Sequence, residues 1–300
     1  MDLTLLTFFN QTLAHPLLDY LMVGLTVGGL GLLPGLGILL LRGNQWRTGL
    51  AILISLVASL IMTFLFQYLA LRPRPEAVHL LLPTPNFPSY PSGHASAAFS
   101  TAIILILAYR QWRWQTAALI GASLIALSRV YLGHHYFSDI VGGAVLGAGV
   151  GATGYGWLVA QPAGQSGWRW LLWLQVAIVA VITQMAYLDI LPWPLLRWPM
   201  ADKMLHFLLF GGVAFWLNLW LEGRQLAVGR WRSPLAILIP FWIALMEESI
   251  QHFSSVRTAG LDDLLSDLAG MICFWWLSHQ IVKPKLPKPA ASSRIAGRET

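Results

Sequence analysis

The groups able to do chemistry gather in three short stretches: Arg72-Pro73-Arg74-Pro75, Pro91-Ser92-Gly93-His94, and Ser128-Arg129 followed by His135 and Asp139. Arginine presents a planar fork of donors matched to phosphate oxygens, so Arg72, Arg74 and Arg129 point to a phosphate. Ser92 and Gly93 open an apolar run, where a capping side chain and an unobstructed backbone leave free amides at a helix start. His135 and Asp139 are four residues apart and share a helical face. A carboxylate so placed keeps one ring nitrogen protonated and leaves the other free to attack phosphorus. His94 can protonate the departing alkoxide and later activate water. Two or three arginines neutralise the transition state without help. The expectation is therefore a site with no metal and no cofactor.

A second polar set lies nearer the carboxy terminus. Asp202, Lys203 and His206 enter one apolar stretch, Glu247, Glu248 and Gln251 close the next, and Arg257, Asp263 and Asp267 precede or open the last. Lys203 with His206, Glu248 with Gln251, and Asp263 with Asp267 fall three or four apart, each pair on one helical face. Two readings stay open. The groups form a buried ion network tying helices together, or they line a pocket for a lipid or cell-wall headgroup. A divalent cation such as Mg²⁺ is chemically possible, but the spacing does not single one out.

The elements that carry these residues are apolar. Of 300 residues, 56% are hydrophobic and only 11% charged, with a mean hydropathy of +0.62. A soluble domain carries about 25% charge, so the shortfall indicates a chain solvated largely by lipid. The 15 tryptophans suit interfacial belts. The formal charge of +6 has no clustered basic face outside the last twenty or so residues, which disfavours nucleic acid and suits a tail against anionic lipid. Cys273, the single cysteine, excludes an internal disulfide. Met1 to Asn10 lacks a basic leader and a clear cleavage site, so no cleaved signal is expected.

Hydropathy predicts an all-α polytopic membrane protein with about nine spans, at 17–41, 48–70, 95–109, 115–132, 137–160, 169–190, 204–221, 234–251 and 264–282. The third and fourth are short, as helices packed inside a bundle can be. Met1 to Ala14 adds a half-buried interfacial helix. Every second loop is basic, with Arg42 and Arg47, Arg110 and Arg113, Arg169, then Arg224, Arg230 and Arg232, and finally Lys283, Lys285, Lys288, Arg294 and Arg298. Basic loops stay cytoplasmic. The chemistry-bearing loops therefore face outside, or the periplasm, from a cell (inner) membrane. The stretch at 161–168 divides the chain into helical modules of 1–163 and 164–282, with a basic cytoplasmic tail at 283–300.

The first constellation resembles the type 2 phosphatidic acid phosphatase family, which includes the vanadium haloperoxidases. The family pattern is Lys, six residues, Arg-Pro; Pro-Ser-Gly-His; then Ser-Arg, five residues, His, three residues, Asp. Arg74-Pro75, Pro91 through His94, and Ser128-Arg129 with His135 and Asp139 match in order and spacing over roughly residues 15 to 160. The resemblance implies His135 as nucleophile through a phosphohistidine, Asp139 as its orienting partner and His94 as acid and base. It implies phosphate binding by Arg74 and Arg129 with Ser92, Gly93 and Ser128. One position departs: Gln67 stands where the family has lysine, which removes a unit charge that Arg72 is placed to replace. His134 has no role in the pattern and reads as a packing residue.

The second constellation resembles the VanZ-like family over roughly residues 170 to 282, through Asp202-Lys203, His206-Phe207, Glu248, Gln251, Arg257, Asp263 and Gly270. That family often has asparagine where this chain has Asp267, and the likeness implies little chemistry. Together these readings predict a membrane lipid phosphatase acting on a lipid phosphate or pyrophosphate. Undecaprenyl pyrophosphate, phosphatidylglycerophosphate and phosphatidic acid are the candidate substrates. A lipid phosphotransferase and a non-catalytic lipid-phosphate-binding envelope protein are the alternatives.

Overall fold

The computed structural model describes residues 2–76, 78–160, 167–192, 200–228, 231–251, 253–254 and 260–282. Arg257, Arg230 and the tail at 283–300 lie outside the described residues, as does most of the 161–168 boundary. Each of the nine apolar stretches is a helix. After a short α1 (Asp2–Thr7) and a π turn (Phe8–Thr12) come α2 (Pro16–Leu41), α3 (Trp46–Ala70), α4 (Gly93–Ala108), α5 (Trp112–Tyr131) and α6 (Phe137–Leu158). A 3-10 turn (Gly167–Trp170) leads into α7 (Leu171–Tyr187), followed by α8 (Ala201–Trp220), α9 (Leu235–Gln251) and α10 (Leu261–His279).

Helicity and membrane crossing are separate matters, and here the count of nine spans is not supported. Among the described residues, α3, α6, α7 with its lead-in turn, and α8 are long and apolar enough to cross a membrane. The two arms of α2, Pro16–Gly29 and Gly31–Leu41, make a fifth if their 42° bend is one span. Pro34 sits one turn beyond that bend, where its ring crowds the carbonyl of the preceding turn. By contrast α4 has 16 residues, about 24 Å at 1.5 Å per residue, short of a ~30 Å hydrocarbon core.

The all-α expectation also needs one correction. The connection from α8 to α9 contains an antiparallel pair, β1 (Gln225–Val228) and β2 (Trp231–Pro234), in register from Gln225 opposite Pro234 to Val228 opposite Trp231. Outside a helix, backbone donors and acceptors need partners, and the two short segments supply them to each other.

α3 shows how the bundle is arranged. Ile54, Val57, Ile61, Leu65 and Tyr68 project outward, whereas Ser55, Ser59 and Thr63 are buried. Large apolar groups outside and small residues inside is the pattern of a helix in lipid. The same logic joins α4 to α6. A Cβ at Gly143, Gly147 or Gly151 would lie 2.4, 2.1 or 2.3 Å from the carbonyl oxygen of Ser92, Ser96 or Ser100. Glycines four apart on α6 therefore let the backbone of α4 come into direct contact. That contact sets the start of α4 beside the start of α6, where the first constellation lies.

Candidate active site

The site is built at one end of the α3–α6 bundle. Leu71 ends α3 in the left-handed region, at φ 48°, and the alternating prolines keep residues 72–75 out of helix. Ser89 pins this strap through its amide to the Arg72 carbonyl (2.9 Å) and its hydroxyl to that of Pro73 (3.1 Å). Asn10 ties the far side of the loop to α5, donating to the carbonyls of His79 (2.9 Å) and Tyr131 (2.7 Å) and accepting from the His79 amide (2.9 Å).

α5 ends in a Schellman turn. The amide of Gly133, at φ 70°, donates to the Val130 carbonyl, and that of His134 to the Arg129 carbonyl, each at 3.0 Å. This turn folds the His134 ring back onto the last turn of its own helix. There Nδ1 of His134 meets a guanidinium nitrogen of Arg129 at 2.5 Å, and Nε2 lies 3.0 Å from the Leu82 carbonyl. The ring must donate from Nε2 and accept at Nδ1. His134 thus aims Arg129, a role that no spacing rule discloses because it depends on the turn.

Asp139 sits three residues into α6, where a carboxylate accepts from the cap backbone; its Oδ2 receives the Tyr136 amide at 2.9 Å. The same oxygen lies 3.4 Å from Nδ1 of His135, close enough to steer the ring but short of an aligned hydrogen bond. Its other oxygen accepts from Arg72 at 2.5 Å. Arg72 is further held by Asp2 at 2.9 Å, and its guanidinium lies 4.2 Å from the centre of the Tyr136 ring. Burial alone would weaken the Arg72 cation, but Asp139 and Asp2 more than offset it and hold its pKa above the ordinary value. Arg72 is therefore committed behind Asp139 and does not replace the charge lost at Gln67. Asp2, which also accepts from the Ser138 amide at 3.0 Å, carries the amino-terminal helix into the site.

The remaining groups face a cavity of about 410 Å³. Gln67, Arg74, Gly93, His94, Arg129 and His135 line its polar end. Arg74 is fixed by the carbonyls of Phe87 and His134, both at 2.8 Å, and sits 3.4 Å from Nε2 of His135. Nε2 of His94 is buried and makes no hydrogen bond among the described residues. Gln67 donates to the Pro91 carbonyl at 3.0 Å while its own carbonyl oxygen stays unpaired. In the direction of a Cβ, Gly93 meets the side chains of Thr63 at 3.5 Å and Leu60 at 3.8 Å, which line the cavity with it. Ser92 and Ser128 are buried but do not line the cavity. The Ser92 amide donates to the Asp139 carbonyl at 2.9 Å, and the Ser128 hydroxyl joins α5 to α2 through Thr26 at 2.6 Å.

Burial depresses the imidazolium of His135 to about 4, opposed by Asp139 and reinforced by Arg129 and Arg74. His134 is likewise held at about 4, by burial and then by Arg129. At neutral pH both rings are neutral, the form in which a nitrogen lone pair can attack. The other end of the cavity is apolar. Leu53, Leu56, Val57 and Leu60 of α3 and Leu33 and Pro34 of α2 form it. Val57 and Leu60 are 59% and 43% exposed on the outer surface of the bundle, so the cavity connects the polar groups to the lipid side.

The sequence that builds this site has counterparts among known proteins. The sequence model of the PAP2 superfamily matches residues 48–162. A lipid A 4'-phosphatase of Bacteroides thetaiotaomicron is 30% identical over 177 residues, which are 53% of this chain and 75% of that protein. The chain belongs to the PAP2 superfamily. Every residue of the first constellation falls within the matched stretch, as does His134. The superfamily's similarity extends to an undecaprenyl-diphosphatase of Sulfolobus acidocaldarius, 32% identical over 39% of this chain and 58% of that protein. An undecaprenyl-diphosphatase of Bacillus subtilis is 31% identical over 32% of this chain and 50% of that protein. The chain thus spans about half the length of these two relatives.

Beyond the PAP2 region, the structure also brings the second constellation together. Lys203 and His206 on α8, Glu248 and Gln251 on α9 and Asp263 on α10 converge at one end of their helices. Lys203 bonds Asp263 and pairs with Asp262 at 2.7 Å, and Glu248 accepts the Gly260 amide. Arg257 lies outside the described residues.

Proposed function

We propose that the protein is a membrane lipid phosphatase. The observation that carries this is the continuous cavity, which joins His135, His94, Arg74 and Arg129 to an apolar wall open toward lipid. A phosphorylated headgroup fits the polar end while its chains stay in a hydrocarbon environment. Arg74, Arg129 and the backbone at Gly93 bind the phosphoryl oxygens. The lone pair of His135 Nε2 attacks phosphorus, and the bond to the lipid oxygen breaks. His94, protonated as the anionic phosphate binds beside it, gives that oxygen its proton, releasing a lipid alcohol, or a lipid monophosphate if the substrate is a pyrophosphate. Water then attacks the phosphohistidine, passing a proton back to His94 as the phosphorus–nitrogen bond breaks and phosphate leaves. Asp139 orients His135, and Arg72 and Asp2 hold Asp139.

The relatives named as undecaprenyl-diphosphatases and a lipid A phosphatase support phosphate or pyrophosphate on a long-chain envelope lipid as the substrate class. Alternating basic loops support a site on the outer face of the cell membrane, with the helices too short or too polar to qualify alone crossing as part of the bundle. Residues 164–282 form a VanZ-like module beside it. Release of inorganic phosphate from short-chain phosphatidic acid, phosphatidylglycerophosphate and polyprenyl pyrophosphate tests the assignment. Wild type turns over at least one, and His135→Ala loses on the order of 10³-fold or more. Equal inactivity of both proteins on all three overturns the enzyme and leaves a lipid-phosphate binder.

A further inference from the structure

The second constellation is not used by the phosphatase, and its geometry differs from that of an ordinary ion network. His206 lies on α8 with Nδ1 3.0 Å from Oδ1 of Asp267 on α10. A carboxylate in that place takes the Nδ1 proton and leaves the Nε2 lone pair free. Nε2 points to two further carboxylates, Oδ1 of Asp202 at 4.0 Å and Oδ1 of Asp263 at 3.9 Å. The three ligand atoms all lie within 4.8 Å of one another. Around one ion with bonds of about 2.1 Å, neighbouring ligand atoms are roughly 3.0–3.5 Å apart, so small side-chain rotations close the set. A ring stacked on Phe210, with interplanar angle 7°, is already fixed in orientation.

Charge and an unsatisfied acceptor argue the same way. Among the described residues, one ammonium, Lys203, pairs with Asp202, Asp262 and Asp263 and is drawn toward the last two, while Asp267 pairs with His206. Asp202 and His206 also line a cavity of about 50 Å³ with Glu247 and Gln251. Gln251 is 1% exposed; its amide donates to Glu247 at 2.6 Å, and its carbonyl oxygen has no partner among the described residues. The cavity has room for an ion with a water or two, and its polar wall offers mainly lone pairs: two carboxylates, an amide oxygen and an imidazole nitrogen. A buried oxygen left unpaired costs free energy that a cation, or water on a cation, removes.

We propose that Asp202, His206 and Asp263 bind a divalent transition-metal ion, with Asp267 orienting His206 and Gln251 accepting from the ion's water. An imidazole among carboxylates favours Zn²⁺ or Mn²⁺ over Mg²⁺. The ion would clamp α8 to α10 beside α9, independently of whether the PAP2 site is active.

The test is titration of the purified full chain with Zn²⁺ alone, read by calorimetry, by metal content after desalting, and by melting temperature. One equivalent binds and raises the melting temperature; His206→Gln and Asp202→Asn each lose it, and Asp267→Asn weakens it 10–100-fold. Lys203→Met, which removes the competing ammonium, binds at least as tightly as wild type. His135→Ala serves as control for the other histidine cluster and retains full binding. All variants are compared as monodisperse protein by gel filtration. Absence of a bound equivalent in wild type, wild-type affinity in His206→Gln, or loss of binding in His135→Ala overturns the site.

Discussion

As the proposed nucleophile, His135 faces two demands that pull apart: it must be neutral, yet it must approach an anion among cations. Burial and the arginines resolve this by holding its pKa at about 4, below its ordinary 6.5. The unfolded ring takes up a proton below about 6.5 and the folded ring only near 4, so protonation favours unfolding in that window. Stability contributed here falls as pH drops from 6.5 toward 4. Corrected for the substrate's own ionisation, the acid limb of log kcat/KM should centre near pH 4; a limb at 6.5 would show a ring that titrates as if in water. His134 is tested by a different readout. Replacing it with leucine removes a partner of a buried cation, worth about 1.5–3 kcal/mol, so kcat/KM should fall roughly 10–100-fold, with His134→Gln recovering part. An unchanged kcat/KM in folded His134→Leu returns that residue to simple packing. Gln67 departs from the superfamily pattern, and its amide shares the cavity with two arginines. Gln67→Lys restores the missing charge and should raise kcat/KM about tenfold; a fall would mean that the Gln67 amide itself is needed at Pro91. Spacing alone singles out His135 and Gln67 as candidates but gives His134 no role. The commitment of Arg72 to Asp139 and Asp2 is not legible there either, because Asp2 and Arg72 meet only through tertiary structure.

At the scale of elements, the distance from His94 to His135 is set by how closely α4 approaches α6. Glycine at 143, 147 and 151 makes that approach possible, and each faces a backbone carbonyl that cannot rotate away. Gly147→Ala puts a methyl where only 2.1 Å is available, an overpacking cost of about 1–3 kcal/mol. It should lower both the melting temperature and the specific activity of the folded fraction. Gly121→Ala is the matched control. It lies within α5 with nothing inside 4 Å of its Cβ position, so it should be neutral or slightly stabilising. Equal effects from the two substitutions would remove the close contact as the determinant. The glycine spacing is visible in the sequence, as are the helices themselves, because hydropathy is a local signal. The partner of the glycines is not, since Ser96 contributes a carbonyl and any residue type has one. The β1–β2 pair escaped for the opposite reason: the basic residues around it mark a loop and say nothing of its backbone pairing.

For the whole molecule, the charged groups sort by end. Arg42, Arg47, Arg110, Arg113, Arg169, Arg224 and Arg232 lie at the helix ends opposite those that carry the PAP2 site and the α8–α10 cluster. If all nine helices cross, both clusters fall on one side of the membrane; α7 links them. Its Gln184 donates to the Ser138 carbonyl at 2.9 Å and accepts from Tyr90 at 3.0 Å, while Tyr187 donates to Glu247 at 3.3 Å. Basic loops are retained in the cytoplasm because moving them across a bilayer against the membrane potential is costly. Reporters fused after Arg113 and after Arg232 should therefore read cytoplasm, and one inserted near Pro85 should read outside. If α4 and α5 formed a re-entrant hairpin instead of two crossings, Arg113 would read outside with Pro85. An inside signal at Pro85 with outside signals at both arginines would put the chemistry on the cytoplasmic leaflet, and the substrate lipid would then have to be presented from that face.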